Sequence, residues 1–351
     1  MRYAIPGYEI RVISDDKQQL GRASAVHVVI WRSRAASRLA AWFAGAAIGA
    51  MACWSPAHAS DSITTTATTS STTSSSPVQA TDATASSNPA PDKSGYNLFN
   101  PTPDDQMRKF TPDRPAKGFS VRTIDAGHFE LETDIVNYTT SNDRGTITRS
   151  IEALDPTVKL GLTNWMDFEV QFNGLQSSRS FDAASGNEVL NGAGFGDVFL
   201  RTKMNLFGND SGPAGLALIP YVKLPSSTPV ISNGAVEGGL IVPLALRPDD
   251  FIITLMTEVD VLKTAIGDGR YANFVNLVGV SHPIPGFDRV NATVELYSST
   301  GTDPATPPVY TFDLGMNFKL DQHAILDVGL NLGLNKAAPT AQVYSGISLR
   351  F

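Results

Sequence analysis

One cysteine in 351 residues removes much chemistry at the outset. Cys53 stands in an apolar N-terminal stretch, so the rest of the chain has no thiol. Disulfides, thiolate metal sites and a cysteine nucleophile are excluded there. No run of Lys or Arg occurs and the net charge is -7, which argues against a nucleic-acid partner. The sequence has no GxSxG, HExxH, P-loop or dinucleotide fingerprint, so no catalytic residue, cofactor or metal is expected. No helical stripe of apolar residues follows residue 120. What the chain has instead is alternation.

The N-terminal part precedes that texture. Arg32, Arg34 and Arg38 lead into LAAWFAGAAIGAMACW, and Ala57-His58-Ala59 fits a signal-peptidase site with cleavage before Ser60. Residues 1–59 therefore read as a long n-region and a secretory signal peptide. Residues 1–31 fit a start codon assigned too early. Ala50-Met51-Ala52-Cys53 loosely resembles a lipobox, but the branched aliphatic residue three places before the cysteine is missing. Residues 60–117 are rich in Ser, Thr and Pro and read as a disordered periplasmic linker. At its end, TPDRPAKGF (Thr111–Phe119) has two readings. It tucks into the mouth of the domain C-terminal to it, with Arg114 meeting a carboxylate such as Glu130, or it is a plain tether.

Residues 118–351 read as one barrel domain, and from about Ala126 its period is two. In MDFEVQFNG, Met166, Phe168, Val170 and Phe172 alternate with Asp167, Glu169, Gln171 and Asn173. VNATVELYS, YTFDLGMNFKL and AILDVGLNLGLN repeat the pattern. A soluble sandwich would place the apolar set inside, and a membrane barrel would place it against lipid. Length separates the two, because a tilted membrane strand needs about nine to eleven residues. Strands are expected near 127–139, 146–163, 166–177, 196–207, 214–224, 238–247, 251–262, 271–282, 289–299, 309–320, 324–334 and 342–351. Tight turns such as Asn164-Trp165 alternate with long linkers such as SSRSFDAASGNEVLNGAGF, as in outer-membrane barrels. The expected fold is all-β, an up-and-down antiparallel transmembrane barrel of about 12 strands in the outer membrane of a Gram-negative bacterium. Membrane lipid is then a partner, and the N-terminal extension lies in the periplasm.

The last stretch, YSGISLRF, alternates to Phe351. A strand in hydrocarbon cannot leave an open edge, so this one is expected to close on the first. Tyr344, Gly346, Leu349 and Phe351 also fit the C-terminal signal read by the barrel-assembly machinery, a second expected partner.

Several blocks resemble a known family: FTPDRP, DAGHFELETDIV, VKLGLTNWMDFEVQFNG, GFGDVFLRTKMNLFG, IPYVKLP and GGLIVPL. From about residue 110 onward the chain is similar to the outer-membrane transporter family called the meta-pathway of phenol degradation family. The resemblance implies an outer-membrane barrel that acts as a transporter. It carries over no catalytic or ligand residue.

The inward set would line the lumen: Glu130, Glu132, Asp134, Lys159, Glu169, Arg201, Lys203, Lys223, Glu258, Glu295, Asp313 and Asp327. These side chains either fill the interior as a cross-strand ion-pair network or line a path that selects solutes. Inward Gly315, Gly329, Gly333 and Gly346 either leave open volume or relieve crowding. Twelve strands fall between filled and open barrels. The leading reading is a passive channel for small molecules, aromatic or hydrophobic compounds among them. The alternatives are a closed structural or adhesion barrel and an outer-membrane lipid hydrolase. The hydrolase would need a histidine near the external boundary, whereas His128, His282 and His323 are all expected at the periplasmic end. Trp165, Phe207, Phe251, Phe318 and Phe351 form one expected aromatic girdle, and Tyr138, Tyr297 and Tyr310 the other.

Overall fold

The structure, a computed structural model, describes residues 92–351 and three short N-terminal strands, β1 (Arg2–Ile5), β2 (Tyr8–Ile13) and β3 (His27–Trp31). These three pair antiparallel in the order β1-β2-β3 and form a unit by themselves. The expected leader over 32–59 and the linker over 60–91 lie outside the described residues.

The rest is a closed wall. Its first staves are β4 (Phe129–Asp143), β5 (Thr146–Ala153) with β6 (Thr157–Thr163), β7 (Met166–Phe172) with β8 (Leu175–Asp182), and β9 (Glu188–Phe195) with β10 (Val198–Phe207). Unbroken staves follow: β11 (Ala214–Leu224), β12 (Glu237–Leu246), β13 (Ile252–Lys263), β14 (Arg270–Pro283), β15 (Val290–Gly301), β16 (Val309–Lys319), β17 (Ala324–Gly333) and β18 (Ala341–Arg350). Counting each broken pair as one stave gives the expected twelve. All pairings are antiparallel, and β18 closes on β4 with Arg350 opposite Glu130 and Ala341 opposite Thr140. Phe351 extends the closure. Its N–H donates to the Phe129 carbonyl at 2.9 Å, and the two rings stack at 4.6 Å.

The alternation resolves as lipid outside and charge inside. Large apolar side chains stand exposed around the exterior, among them Val158, Phe172, Leu240, Val259, Phe274, Val278, Leu296 and Val343. Buried side chains facing the interior include Glu132, Lys159, Asp167, Glu169 and Lys203. In a water-soluble sandwich this arrangement would be inverted; a barrel wall in hydrocarbon requires it. One bulge adjusts the facing. Gly346 pairs with Asp134 and Ser345 with Val136, so Ile135 has no partner across the seam. The extra residue lets both Asp134 and Asn137 turn inward, where the Asn137 amide donates to Asp134.

Two expectations about the wall need correction. Ser177–Phe195, read as a long loop, is mostly the β8–β9 hairpin, and only 183–187 connect its strands. With β5 and the end of β4 it forms a ribbon that stands beyond the closed ring. Both faces of that ribbon are wet, so its sequence shows no lipid-facing alternation. The asymmetry between the two ends thus lies in projecting strands as much as in loops. Tyr297, placed in an outward girdle, instead faces inward and packs beside Ile219, Ile241 and Met256. Its neighbour Leu296 takes the outward position.

The three breaks lie side by side, at 154–156, 173–174 and 196–197. Pro156 cannot donate to a ladder, and Leu154 has φ 58°. A Cβ on Gly174 would fall 1.9 Å from the Leu154 carbonyl oxygen, so only glycine passes there.

Candidate functional site

The barrel has a near rim, which holds Phe129 and Phe351, and a far rim opposite. Between them the lumen is occupied by the chain itself. Residues 108–126 enter at the near rim, reach furthest at Lys117 and return. The two ends of the excursion meet where the Arg108 N–H donates to Asp125 at 2.9 Å. Arg108 also binds Asp210 in the near-rim turn at 3.0 Å, and Lys93 joins the same carboxylate at 3.0 Å. Burial would raise the Asp210 carboxyl, but the Lys93 hydrogen bond and the Arg108 charge outweigh it and hold it below its ordinary value. The depressed pKa means this tie is fully present above about pH 4 and is lost as pH falls further.

Within the lumen the segment is held by charge. Asp113 accepts from Lys159 at 2.6 Å and from Lys203 at 2.9 Å. Arg114 pairs with both Asp134 and Asp327, the latter through two hydrogen bonds of 2.8 and 3.1 Å. Backbone N–H groups of Asp113 and Arg114 donate to Glu132 at 3.0 and 3.1 Å. Those of Lys117 and Gly118 donate to Glu295 at 2.7 and 3.2 Å. The Lys117 ammonium reaches Asp313 at 3.0 Å. Only beyond this point does apolar packing take over. Phe119 lies against the Ile219, Ile241 and Met256 cluster, and Val121 against Ala217 and Ala245.

The inward glycines find their use here. A Cβ on Gly315 would fall 2.6 Å from the Pro115 ring, one on Gly329 2.1 Å from the Tyr344 ring, and one on Gly346 2.3 Å from the Arg114 guanidinium. Backbone without side chain is what lets Pro115 and Arg114 lie flat on the wall. The Tyr344 hydroxyl then donates to the Pro115 carbonyl at 2.5 Å. Gly333 differs, since it faces Pro339 in a far-rim connection.

The twelve residues read as lumen-lining take these places. Glu132, Asp134, Glu295, Asp313 and Asp327 hold the internal segment, as do Lys159 and Lys203. Glu130 is buried 3.9 Å from Lys159, and Glu169 pairs with Lys203 at 3.1 Å. Arg201 donates to Gln171 at 2.5 Å, beneath the Phe119 ring. Lys223 is far from the segment and pairs instead with Asp197 and Glu237. Glu258 lines a cavity on the far-rim side of Lys117. Of the two readings of TPDRPAKGF, the structure shows the tucked one, but Arg114 meets Asp134 and Asp327 rather than Glu130. The linker expected to reach residue 117 therefore gives way earlier, since Lys93 and Arg108 are already tied to the barrel. Asp113 and Lys117 went unread because a Pro-rich stretch has no periodicity. The signal available was the surplus of lumen carboxylates, which called for cations from elsewhere.

Of the four assembly-signal residues, Tyr344 and Gly346 face the lumen while Leu349 pairs with Ala324 and Leu131. His128, His282 and His323 stand at the near rim. The His128 ring nitrogens lie 2.7 Å from the Thr102 carbonyl and 3.2 Å from that of Phe351, and His282 rests on Phe251. His323 lies in the turn between β16 and β17.

The segment separates two cavities. One of about 480 Å³ opens at the near rim beside Arg122, Arg247 and His282. The other, of about 360 Å³, is the far-rim cavity that Glu258 lines.

A family model described as "Putative MetA-pathway of phenol degradation" matches residues 112–351. An outer-membrane channel from Pseudomonas putida F1 has a similar fold, with a TM-score of 0.50 at 11% identity. The match covers 64% of this chain and 95% of that one. The NanC porin gives a TM-score of 0.41 at 10% identity, over 62% of this chain and 98% of that chain. A structure titled CymD monoaromatic hydrocarbon channel gives 0.35 at 8%, over 64% and 87%. No curated protein sequence matches the chain.

Proposed function

Since the chain belongs to this phenol-degradation family, we propose that it is a passive outer-membrane channel for small molecules, aromatic compounds among them. Its lumen is closed by its own residues 108–126. One observation carries the reading: the obstruction is a segment of chain tied down by ion pairs, with a cavity on each side of it. Wall side chains alone do not fill the barrel. Displacing the segment would join the two cavities through a lumen lined by charged groups, whereas a structural barrel would keep it in place. Discrete conductance steps from the purified chain in planar bilayers support the channel. Silence from the parent and from every variant that frees the segment would favour a closed barrel.

The near rim is taken as periplasmic, because residues 92–108, which lead into the barrel, are tied down there through Lys93 and Arg108. A protease site inserted between Ala183 and Asn187, at the tip of the projecting ribbon, should then be cleaved on intact cells. One at Asp210, in a near-rim turn, should be cut only after the outer membrane is breached. The opposite pattern would invert the barrel.

Phe351 is proposed to serve both closure and recognition by the assembly machinery. Deleting it removes a paired backbone group and a stacked ring from the seam. The heat-modifiable form should fall several-fold in outer-membrane fractions. Undiminished assembly would contradict this role.

A further inference from the structure

Among the described residues, Phe99 is the most exposed large apolar side chain, at 93%. It belongs to no strand of the wall. Asn97 and Asn100 exchange backbone hydrogen bonds of 2.9 and 3.0 Å, which leaves Leu98 and Phe99 as the two central residues of a tight turn. Those positions favour Gly, Pro, Asn, Asp or Ser, which suit the bend. Two large apolar residues at the tip serve neither the bend nor contact with water. Leu98 is exposed as well.

The turn is built, not loose. The Asn97 side-chain oxygen accepts from the Phe99 N–H at 2.9 Å and from the Asn100 N–H at 3.2 Å. The Asn100 amide donates to the Gly95 carbonyl at 3.2 Å, and the Tyr96 hydroxyl donates to Gln106 at 3.2 Å. Pro101 lies so close to Gly127 that a Cβ on the glycine would fall 2.5 Å from its ring. The exposed Phe99 ring is therefore held out by a turn with its own hydrogen bonds and its own seat on the barrel.

Its seat is the near rim. The Leu98 N–H donates to the Leu162 carbonyl at 2.9 Å, and Asn97 bridges to Thr163. Two residues beyond Thr163 stands Trp165, 50% exposed, whose carbonyl accepts from the Asn205 N–H at 2.8 Å. Leu206 and Phe207 follow, both exposed. At the other end of the stretch, the Thr102 carbonyl meets the His128 ring, whose second nitrogen lies by the Phe351 carbonyl. Phe351 in turn stacks on Phe129. Residues 97–102 thus cross the rim between two portions of the aromatic girdle. A single exposed apolar side chain requires no partner. This one continues a band of exposed rings that already faces lipid.

We propose that the Leu98–Phe99 tip is a membrane anchor, with Phe99 in the interfacial layer of the near-rim leaflet beside Trp165. Aromatic rings are favoured at that level of a barrel. Lipid is the occupant because the apolar surface is continuous with the girdle on both sides, so the bilayer that covers Trp165 and Phe129 also reaches the tip. The anchor holds the strap over 92–107 against the bilayer at the point where the chain turns into the lumen at Arg108. The inference requires the barrel to lie in a bilayer and does not require its lumen to conduct.

The test is nitroxide accessibility in the full chain, reconstituted in vesicles of phosphatidylethanolamine and phosphatidylglycerol. Phe99→Cys, Val278→Cys and Asp105→Cys, each in a Cys53→Ser background, carry the label in turn. Val278, exposed on the outer face of β14, is the lipid reference, and Asp105, exposed in the strap itself, is the water reference. Molecular oxygen concentrates in lipid and a nickel chelate stays in water, so the ratio of the two collision rates reports depth. The ratio at position 99 should lie several-fold above that at 105 and no higher than that at 278. A ratio no higher than at 105 would overturn the proposal. So would low collision with both reagents, which marks a surface covered by protein. Heat-modifiable migration checks that each labelled barrel is folded. If the label at 99 prevents folding, the same measurement on Leu98→Cys decides. Conductance is a separate readout: a silent barrel with a lipid-like ratio keeps the anchor and removes the channel, while a conducting barrel with a water-like ratio does the reverse.

Discussion

Leu296→Arg should all but eliminate assembled barrel. Leu296 lies mid-strand on β15 and is 55% exposed, on the face away from the lumen. Its partners across the sheet are Val278 and Phe312, and Val278 is itself exposed. A charge placed here meets hydrocarbon, at about 2–4 kcal/mol near the midplane. Neighbouring Glu295 faces the other way, holding backbone N–H groups of the internal segment. Glu295→Gln keeps a carbonyl acceptor at that place and should assemble at close to the parental level. Heat-modifiable migration of outer-membrane fractions measures both. Normal assembly of Leu296→Arg together with failure of Glu295→Gln would show that the facing assignment is wrong.

Arg114→Met should open the lumen. The guanidinium is clamped by Asp134 and Asp327 and lies over the bare backbone of Gly346. Methionine keeps some of the apolar stem but leaves two buried carboxylates without their cation. Breaking a buried pair in this way costs about 3–5 kcal/mol. All of it falls on the state in which the segment is seated, because a displaced segment leaves those carboxylates to water. At about 1.4 kcal/mol per factor of ten, the ratio of seated to displaced forms should fall on the order of a hundredfold or more. Planar-bilayer recordings should then show larger or longer openings than the parent. Parental conductance in a folded Arg114→Met barrel would mean that this clamp does not hold the path shut.

These two substitutions also mark what could and could not be read from the sequence. The wall was legible because a strand between lipid and lumen must alternate. Val290 to Leu296 and Tyr310 to Leu320 show it without interruption, and the barrel closes where YSGISLRF indicated. The β8–β9 ribbon was missed because water on both faces imposes no period on SSRSFD or EVLNGAGF. Tyr297 was misplaced by grouping it with other tyrosines at its height, although its own alternation puts it opposite Leu296. The internal segment was visible only as a possibility. Nothing in TPDRPAKGF states which carboxylate Arg114 meets, since that depends on how the β4 bulge turns Asp134 and on the space above Gly346. The amide chain in which Asn331 donates to Gln342 and Gln342 to Asn137 was out of reach for the same reason. It joins residues from β4, β17 and β18, and its direction follows from hydrogen-bond chemistry that only the folded wall brings together.

The claim that residues 108–126 control passage can be tested by fastening them. Pro115 lies against Gly315 closely enough that a Cβ on the glycine would fall 2.6 Å from its ring. Pro115→Cys with Gly315→Cys, in a Cys53→Ser background, offers a bond between the segment and the β16 wall. Single-channel conductance should be low when the pair is oxidised and should rise several-fold, in the same membrane, on reduction. Equal conductance before and after reduction, with the cross-link confirmed by mass spectrometry, would contradict the account, because solute and ions would then be passing a segment that never moves.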